Sequence, residues 1–286
     1  MSEFDPAPAD KLHPGIVGRA TIRWRGGERR PVIDSVAEEV PVAMLYNGTP
    51  FSVMMTTPSD LEDFALGFSM SERLIQHASE FLGVEIRPCI EGIELYMRVS
   101  STAPAASLSA AAARLLPGRS GCGLCGARQL EDVMRMTPPI ESPSTFPVAS
   151  LRLALASLGG MQPMNAIAGS THAAAWVEPD GQISLVREDV GRHNALDKLA
   201  GAMRRQSLST DAGLLLISSR ASYEMVSKAA HAGMAVVAAV SAPTALAIDL
   251  AKAAGICLVG FARHDGFNVY SHPERLLGFE ADNRIY

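Results

Sequence analysis

The last third of the chain constrains the fold most. Residues 214–218, 235–240 and 256–260 are short apolar runs suited to strands, and residues 223–232 and 243–254 between them suit helices. Strands alternating with helices call for a parallel sheet, because parallel neighbours need a crossover and that crossover is right-handed. Pro243 and Gly255 punctuate the second helix at its start and end. The longest uncharged stretch, 229–248, lies here and is about long enough to cross a bilayer. Ser241, Pro243 and Thr244 cut through it and it is Ala-rich, so it reads as helix, strand, loop and helix of a buried core. Upstream, residues 172–177 and 183–186 suit strands around the turn Glu178-Pro179-Asp180-Gly181. Residues 190–205 form a helical pattern with Leu196, Leu199, Ala200 and Met203 on one face.

The first part reads as a smaller α+β unit. Residues 19–25 alternate like a strand, and the runs 40–46 and 51–56 flank Asn47-Gly48, a hairpin signal because both residues tolerate positive φ. Ser59-Asp60-Leu61-Glu62 reads as a capping box opening a helix to about Gln76. Residues 85–99 suit two short strands. The expected organisation is a flexible tail over 1–16, a small α+β domain over 17–105, a connecting region over 106–147 and an α/β domain over 148–286. The connecting region carries an Ala-rich helical pattern over 108–116, a thiol motif, and a proline-rich linker over 137–147.

Composition removes whole classes of function. A chain of 286 residues that is 48% hydrophobic can bury a substantial core and is not disordered. A net charge of −5 argues against a nucleic-acid grip. Four cysteines are too few for a disulfide scaffold. The first ten residues carry Glu3, Asp5 and Asp10 and no apolar secretory segment follows, so the expectation is a cytoplasmic, non-membrane protein with reduced thiols.

Cys122 and Cys125, in Gly121-Cys122-Gly123-Leu124-Cys125-Gly126, are the sharpest chemical feature. There is no second CxxC. Cys89 and Cys257 stand singly in apolar, strand-like contexts and read as small buried hydrophobes, so no structural zinc is expected. A thioredoxin site would need a strand directly before the motif, and here a Pro-Gly-Arg-Ser loop precedes it. Two readings stay open: a chance pair in a loop, and a reactive thiol loop. Glycines give such a loop conformational freedom, and Arg119, Arg128 and a following helix N-terminus favour the thiolate, which is the nucleophile.

A second constellation lies beyond the strand ends of the α/β part, where open sheets bind ligands. It comprises Ser218-Ser219-Arg220, Ser241-Ala242-Pro243-Thr244 and Phe261-Ala262-Arg263-His264-Asp265-Gly266. Helix N-termini favour anions, and Arg220 and Arg263 can pair with phosphate. Solvated surface loops are the competing reading. Neither a dinucleotide-binding fingerprint nor a P-loop occurs. Arg187-Glu188-Asp189-Val190-Gly191-Arg192-His193-Asn194 packs charge into one turn, either as a salt-bridge network or as part of a site. Thr171-His172-Ala173-Ala174 lacks the glutamate of a zinc deaminase, and the CxxC lies upstream of it, so deaminase catalysis is not supported.

Taken together these segments resemble the FdhD/NarQ family of formate dehydrogenase accessory proteins. The resemblance rests on Glu38-Glu39-Val40-Pro41-Val42, Tyr46-Asn47-Gly48, Thr57-Pro58-Ser59-Asp60-Leu61-Glu62-Asp63-Phe64 and Cys122-Gly123-Leu124-Cys125-Gly126. It continues with Thr171-His172-Ala173-Ala174, the turn from Arg187 on to Asp197-Lys198, Ser241-Ala242-Pro243-Thr244 and Phe267-Asn268-Val269-Tyr270. The resemblance implies a larger domain like cytidine deaminase that has lost its zinc site, a smaller N-terminal domain, and a homodimer. It implies sulfur transfer from a cysteine desulfurase to the molybdenum bis(pyranopterin guanine dinucleotide) cofactor of formate dehydrogenase. Cys122 would carry the persulfide, with Cys125 as partner thiol. Phe261 to Gly266, placed after the last core strand, would contact the cofactor. A cofactor-binding chaperone that moves no sulfur, and a dithiol oxidoreductase, are the alternatives.

Overall fold

The structure is a computed structural model and describes residues 13–108 and 139–279. The chain opens with a long antiparallel hairpin of β1 (Ile16–Arg25) and β2 (Glu28–Ala37), turned by Gly26 and Gly27, both at positive φ. Only the first strand is legible in the sequence. In β2 the residues Arg29, Arg30, Pro31 and Asp34 break any apolar alternation, because much of the hairpin is solvated on both faces.

Next come β3 (Val40–Tyr46), β4 (Thr49–Thr56), α1 (Leu61–Ser71), β5 (Phe81–Cys89) and β6 (Gly92–Val99), with a four-stranded sheet in the order β4-β3-β6-β5. The Asn47-Gly48 turn forms as expected, at φ 48° and 83°. Leu61, Phe64, Ala65 and Phe68 of α1 pack on Tyr46, Phe51, Leu95 and Met97 of the sheet. Two details of α1 depart from the sequence reading. The capping box is absent: Asp60 is the N-cap, in the left-handed region at φ 53°, and makes no side-chain cap bond. The helix also stops at Ser71 rather than near Gln76, because Arg73 at φ 57° reverses the chain and the Leu74 and Ile75 amides both donate to Ser69 O.

The second half of the fold follows, with a six-stranded sheet and a separate two-stranded one. Its elements are β7 (Phe146–Pro147), α2 (Val148–Ser157), α3 (Pro163–Ala168), β8 (His172–Val177), β9 (Ile183–Asp189), α4 (Arg192–Arg205), β10 (Leu214–Ile217) and α5 (Tyr223–His231). They continue with β11 (Val236–Ala239), α6 (Ala245–Ala254), β12 (Cys257–Arg263), β13 (Gly266–Ser271) and β14 (Leu276–Leu277). Six strands run in the order β13-β12-β11-β10-β8-β9. The expected parallel core is present as β10, β11 and β12, but β8 and β13 pair antiparallel to its two edges and β9 pairs antiparallel to β8, so the sheet is mixed. Pleating sends alternate residues to opposite layers. Leu215, Ile217, Val237, Ala239 and Leu258 meet the layer that contains α4, α5 and α6. Leu214, Leu216, Val236, Ala238 and Val259 meet Phe146, Leu151 and Ala154. The 229–248 stretch is the helix, strand, loop and helix its polar interruptions indicated. Among the described residues no helix is long and apolar enough to cross a membrane.

Pro243 lies before α6 rather than in its first turn; Thr244 is the N-cap and its hydroxyl accepts from the Ala247 amide at 3.3 Å. Gly255 closes the helix at φ 72°, as expected. The two sheets meet where α1 crosses α4. A methyl group at Gly67 would sit 1.8 Å from the Asp197 carbonyl oxygen, and one at Gly201 would sit 1.9 Å from that of Asp63. The two backbones therefore touch with no side chain between them.

Candidate functional site

The site is built at the carboxyl ends of β10, β11 and β12. Each strand ends in a polar loop, and backbone hydrogen bonds tie the loops to one another. The Ala221 amide donates to Ala242 O at 3.2 Å, Thr244 N to Ala221 O at 3.0 Å, and Phe261 N to Ser241 O at 3.1 Å. Gly260 allows this closeness, since a Cβ there would lie 2.7 Å from Pro243 Cδ. The result is one continuous rim carrying Ser218, Ser219, Arg220, Ser241 and Thr244, with the N-termini of α5 and α6 opening into it.

The stretch Phe261 to Gly266 does not follow the last strand. Phe261, Ala262 and Arg263 belong to β12, His264 and Asp265 form the turn, and Gly266 begins β13. A register shift between Gly260 and Arg263 places Phe261 at φ 50° and leaves its ring exposed. A bulky residue in the left-handed region is strained, and such strain concentrates at functional positions. Ala262 points the other way, into the core, so only its backbone is available to a ligand. Arg263, His264, Asp265 and Gly266 are exposed, with His264 Nδ1 3.9 Å from an Asp265 carboxylate oxygen. Arg220 and Arg263 are exposed, and neither has a carboxylate partner among the described residues. The predicted phosphate-pairing arginines thus stand at the same end of the sheet with their charges uncompensated. Cys122 and Cys125, together with the helical patterns placed at 108–116 and after Cys125, lie outside the described residues, apart from Leu108 itself.

The same end of the sheet gathers residues that the sequence reading left undecided. His172 opens β8, whose next residue exchanges hydrogen bonds with Ser218: Ala173 N donates to Ser218 Oγ at 2.8 Å and Ser218 N donates to Ala173 O at 3.0 Å. Burial pulls the His172 imidazole below its ordinary pKa, and the nearby Arg192 charge adds to this. His193 and Glu224, at the starts of α4 and α5, lie 3.3 Å apart, and Ser222 Oγ donates to the same Glu224 oxygen at 2.9 Å. Neither His193 nor Glu224 could be paired from sequence, because no local pattern brings the two helix starts together.

The Arg187 to Asn194 turn is a buried network that fixes the frame beneath the site. Glu188 accepts from the Met164 and Asn165 amides at the start of α3 and from Thr171. Asp189, fully buried, accepts from Thr56, Thr57, the Gly191 amide and Asn194, and lies 2.7 Å from Lys198 Nζ. Arg187 pairs with Asp63 at 2.7 Å, and Arg205 binds the other Asp63 oxygen at 2.7 Å. Salt bridges therefore flank the Gly67–Gly201 crossing. Cys257 is buried as expected, and burial pushes its thiol up to about 12. Cys89 is not buried. It ends the edge strand β5, exposed, with Sγ 3.3 Å from Gly92 O.

A family model for the FdhD/NarQ family matches residues 37–277. The chain belongs to the FdhD/NarQ family. It is 49% identical over 265 residues to the Sulfur carrier protein FdhD of Xanthomonas euvesicatoria pv. vesicatoria (strain 85-10), spanning 93% of this chain and 94% of that protein. It is 49% identical over 275 residues to the Sulfur carrier protein FdhD of Cupriavidus necator, spanning 96% of this chain and 95% of that one. A solved structure described as a formate dehydrogenase accessory protein from Desulfotalea psychrophila superposes with a TM-score of 0.71 at 24% identity, covering 92% of this chain and 100% of the other. That likeness shows a shared mixed α/β fold. The family motifs from Glu38 to Tyr270 fall within the matched span.

Proposed function

We propose that this chain is a sulfur carrier serving formate dehydrogenase. It accepts sulfur from a cysteine desulfurase as a persulfide on Cys122 and passes it to the molybdenum bis(pyranopterin guanine dinucleotide) cofactor before that cofactor enters the enzyme. What carries the reading is 49% identity, over nearly the whole chain, to proteins named as sulfur carriers. The glycine-bracketed Cys122 and Cys125 supply the chemistry such a name requires. In the first step the Cys122 thiolate attacks the outer sulfur of the desulfurase persulfide. A new sulfur–sulfur bond forms on Cys122 and the desulfurase cysteine departs as thiolate, with no net redox change. Cys125 is the partner thiol. Attack of the Cys125 thiolate on the inner sulfur would then close a Cys122–Cys125 disulfide and release the outer sulfur as sulfide, which molybdenum takes as a soft ligand.

The rim at the strand ends suits the phosphates of the cofactor. Helix N-termini and the uncompensated Arg220 and Arg263 favour anions, while the exposed Phe261 ring offers a flat apolar surface. The larger sheet with its crossovers is read as cytidine-deaminase-like, the division into domains as 17–105 and 148–286, the assembly as a homodimer and the compartment as cytoplasm. Mass spectrometry after incubation with a desulfurase and cysteine tests the central claim. One added sulfur on the peptide holding Cys122 is the expected result. A cofactor-binding chaperone without sulfur transfer would gain none.

A further inference from the structure

Away from the strand-end rim, α1, α4 and α5 enclose a cavity of about 290 Å³. This is just below the usual range for ligand pockets, about 300–1,000 Å³, and so suits a small ligand. α5 starts at the rim with Tyr223 and reaches the cavity at Lys228, about 7.5 Å further on at 1.5 Å per residue. The lining is mixed: Met70, Ile75, Leu196, Met203 and Met234 supply apolar wall, and charged and polar side chains supply the rest.

The charges lining it divide into compensated and uncompensated. Lys228 Nζ lies 2.9 Å from both Asp197 oxygens, 2.8 Å from Ser71 Oγ and 3.3 Å from Glu72, so its charge is neutralised in place. Arg73 is different. Its Nε donates to His231 Nε2 at 3.0 Å, and its Nη2 meets the same ring nitrogen. His231 Nδ1 lies 2.7 Å from Ser227 O, which can only accept. The imidazole is therefore neutral, with its proton on Nδ1. Arg73 is thus oriented by a neutral acceptor rather than by a carboxylate. Arg204 also lines the cavity, is exposed, and has no carboxylate partner among the described residues. Its neighbour Arg205 is taken up by Glu62 and Asp63. Arg73 and Arg204 are thus two guanidinium groups that line a partly apolar cavity without a carboxylate partner among the described residues.

We infer that this cavity binds a small amphipathic organic anion, its apolar body against Met70, Ile75, Met203 and Met234 and its head group on Arg73 and Arg204. Guanidinium groups bind carboxylate and phosphate in the same forked geometry, so the head group belongs to one of these two classes. The site is separate from the sulfur-carrying function and does not depend on it.

Calorimetric titration of the full-length chain with hexanoate, hexyl phosphate, hexanol and hexylammonium tests this. At least one of the two anions binds at one site per chain, tenfold or more tighter than hexanol or hexylammonium. Which anion wins identifies the head group. R73A and R204A, both at exposed positions, each weaken that binding about tenfold, and A200F, which fills the cavity from its edge, abolishes it. Absence of saturable binding by both anions would overturn the inference. So would equal binding of hexanol, or unchanged affinity in both arginine variants.

Discussion

Gly67 of α1 and Gly201 of α4 face each other at the crossing that joins the two sheets, and neither position has room for a single methyl group. A Cβ at either glycine would fall inside the contact distance of a backbone carbonyl on the other helix. Backbone cannot give way as the end of a flexible side chain can. Gly67→Ala and Gly201→Ala are therefore expected to cost about 3 kcal/mol or more, at or beyond the upper end of ordinary overpacking. Urea denaturation measures this, and a cost below about 1 kcal/mol would contradict the close crossing.

Asp189 and Lys198 form a fully buried pair beneath the site. Asp189→Asn leaves the Lys198 ammonium without its counter-charge and is expected to cost about 3–5 kcal/mol. Adding Lys198→Met should recover part of that loss, because the uncompensated charge goes with it. A double variant no more stable than Asp189→Asn alone would show that the pair is not the source of the cost.

Arg263→Ala should weaken binding of a guanine nucleotide about tenfold to a hundredfold, in line with about 1.5–3 kcal/mol for a hydrogen bond to a charged group. Cys122→Ala should leave that affinity intact while abolishing formate dehydrogenase maturation in cells lacking the native protein. Calorimetry and a complementation assay read the two effects separately. Full maturation with Cys122→Ala would remove that residue as the carrier.

Acid should weaken the fold through His231. Burial is the main cause holding its proton affinity below the ordinary value of 6.5, and the Arg73 charge adds to this against the Ser227 carbonyl. The unfolded chain then binds the proton more readily than the folded one, so this stabilisation is complete above about pH 6.5 and is lost as pH falls toward the lower folded value. His172 is shifted the same way and contributes with the same sign. Urea midpoints at pH 7.5 and 5.5 should show the drop, and His231→Gln should reduce it. An equal drop in that variant would assign the effect elsewhere.

The two single cysteines should behave oppositely. In a variant with Cys122 and Cys125 both replaced by serine, a thiol reagent should modify the exposed Cys89 in the folded protein. Cys257, buried with its thiol pushed up to about 12, should react only after unfolding. Intact-mass spectrometry counts the labels.

Local chemistry made part of this structure legible in advance. The Asn47-Gly48 turn and the three central strands with their helices could be read because turn residues and apolar runs determine them locally. The strand β2 could not, since a hairpin solvated on both faces has no apolar alternation to display. Ser59 and Glu62 spell a capping box, yet the left-handed Asp60 takes the N-cap position, one residue later than the motif places it. Cys89 looked apolar by its neighbours, but it lies at the end of an edge strand. At the site, the polar loops with Arg220 and Arg263 were visible as breaks after apolar runs. The bonds joining those loops, and the meeting of His193 with Glu224, link segments far apart in sequence and leave no local trace.

The ties from Ala221 to Ala242 and from Phe261 to Ser241 are made entirely by backbone. Apart from Gly260, which must stay without a side chain for the loops to close, the contour of the rim does not depend on which side chains stand on it. A ligand arriving there meets a mould already set, so little ordering entropy opposes its capture. Substitutions along the rim can then change what is gripped without changing the shape of the grip.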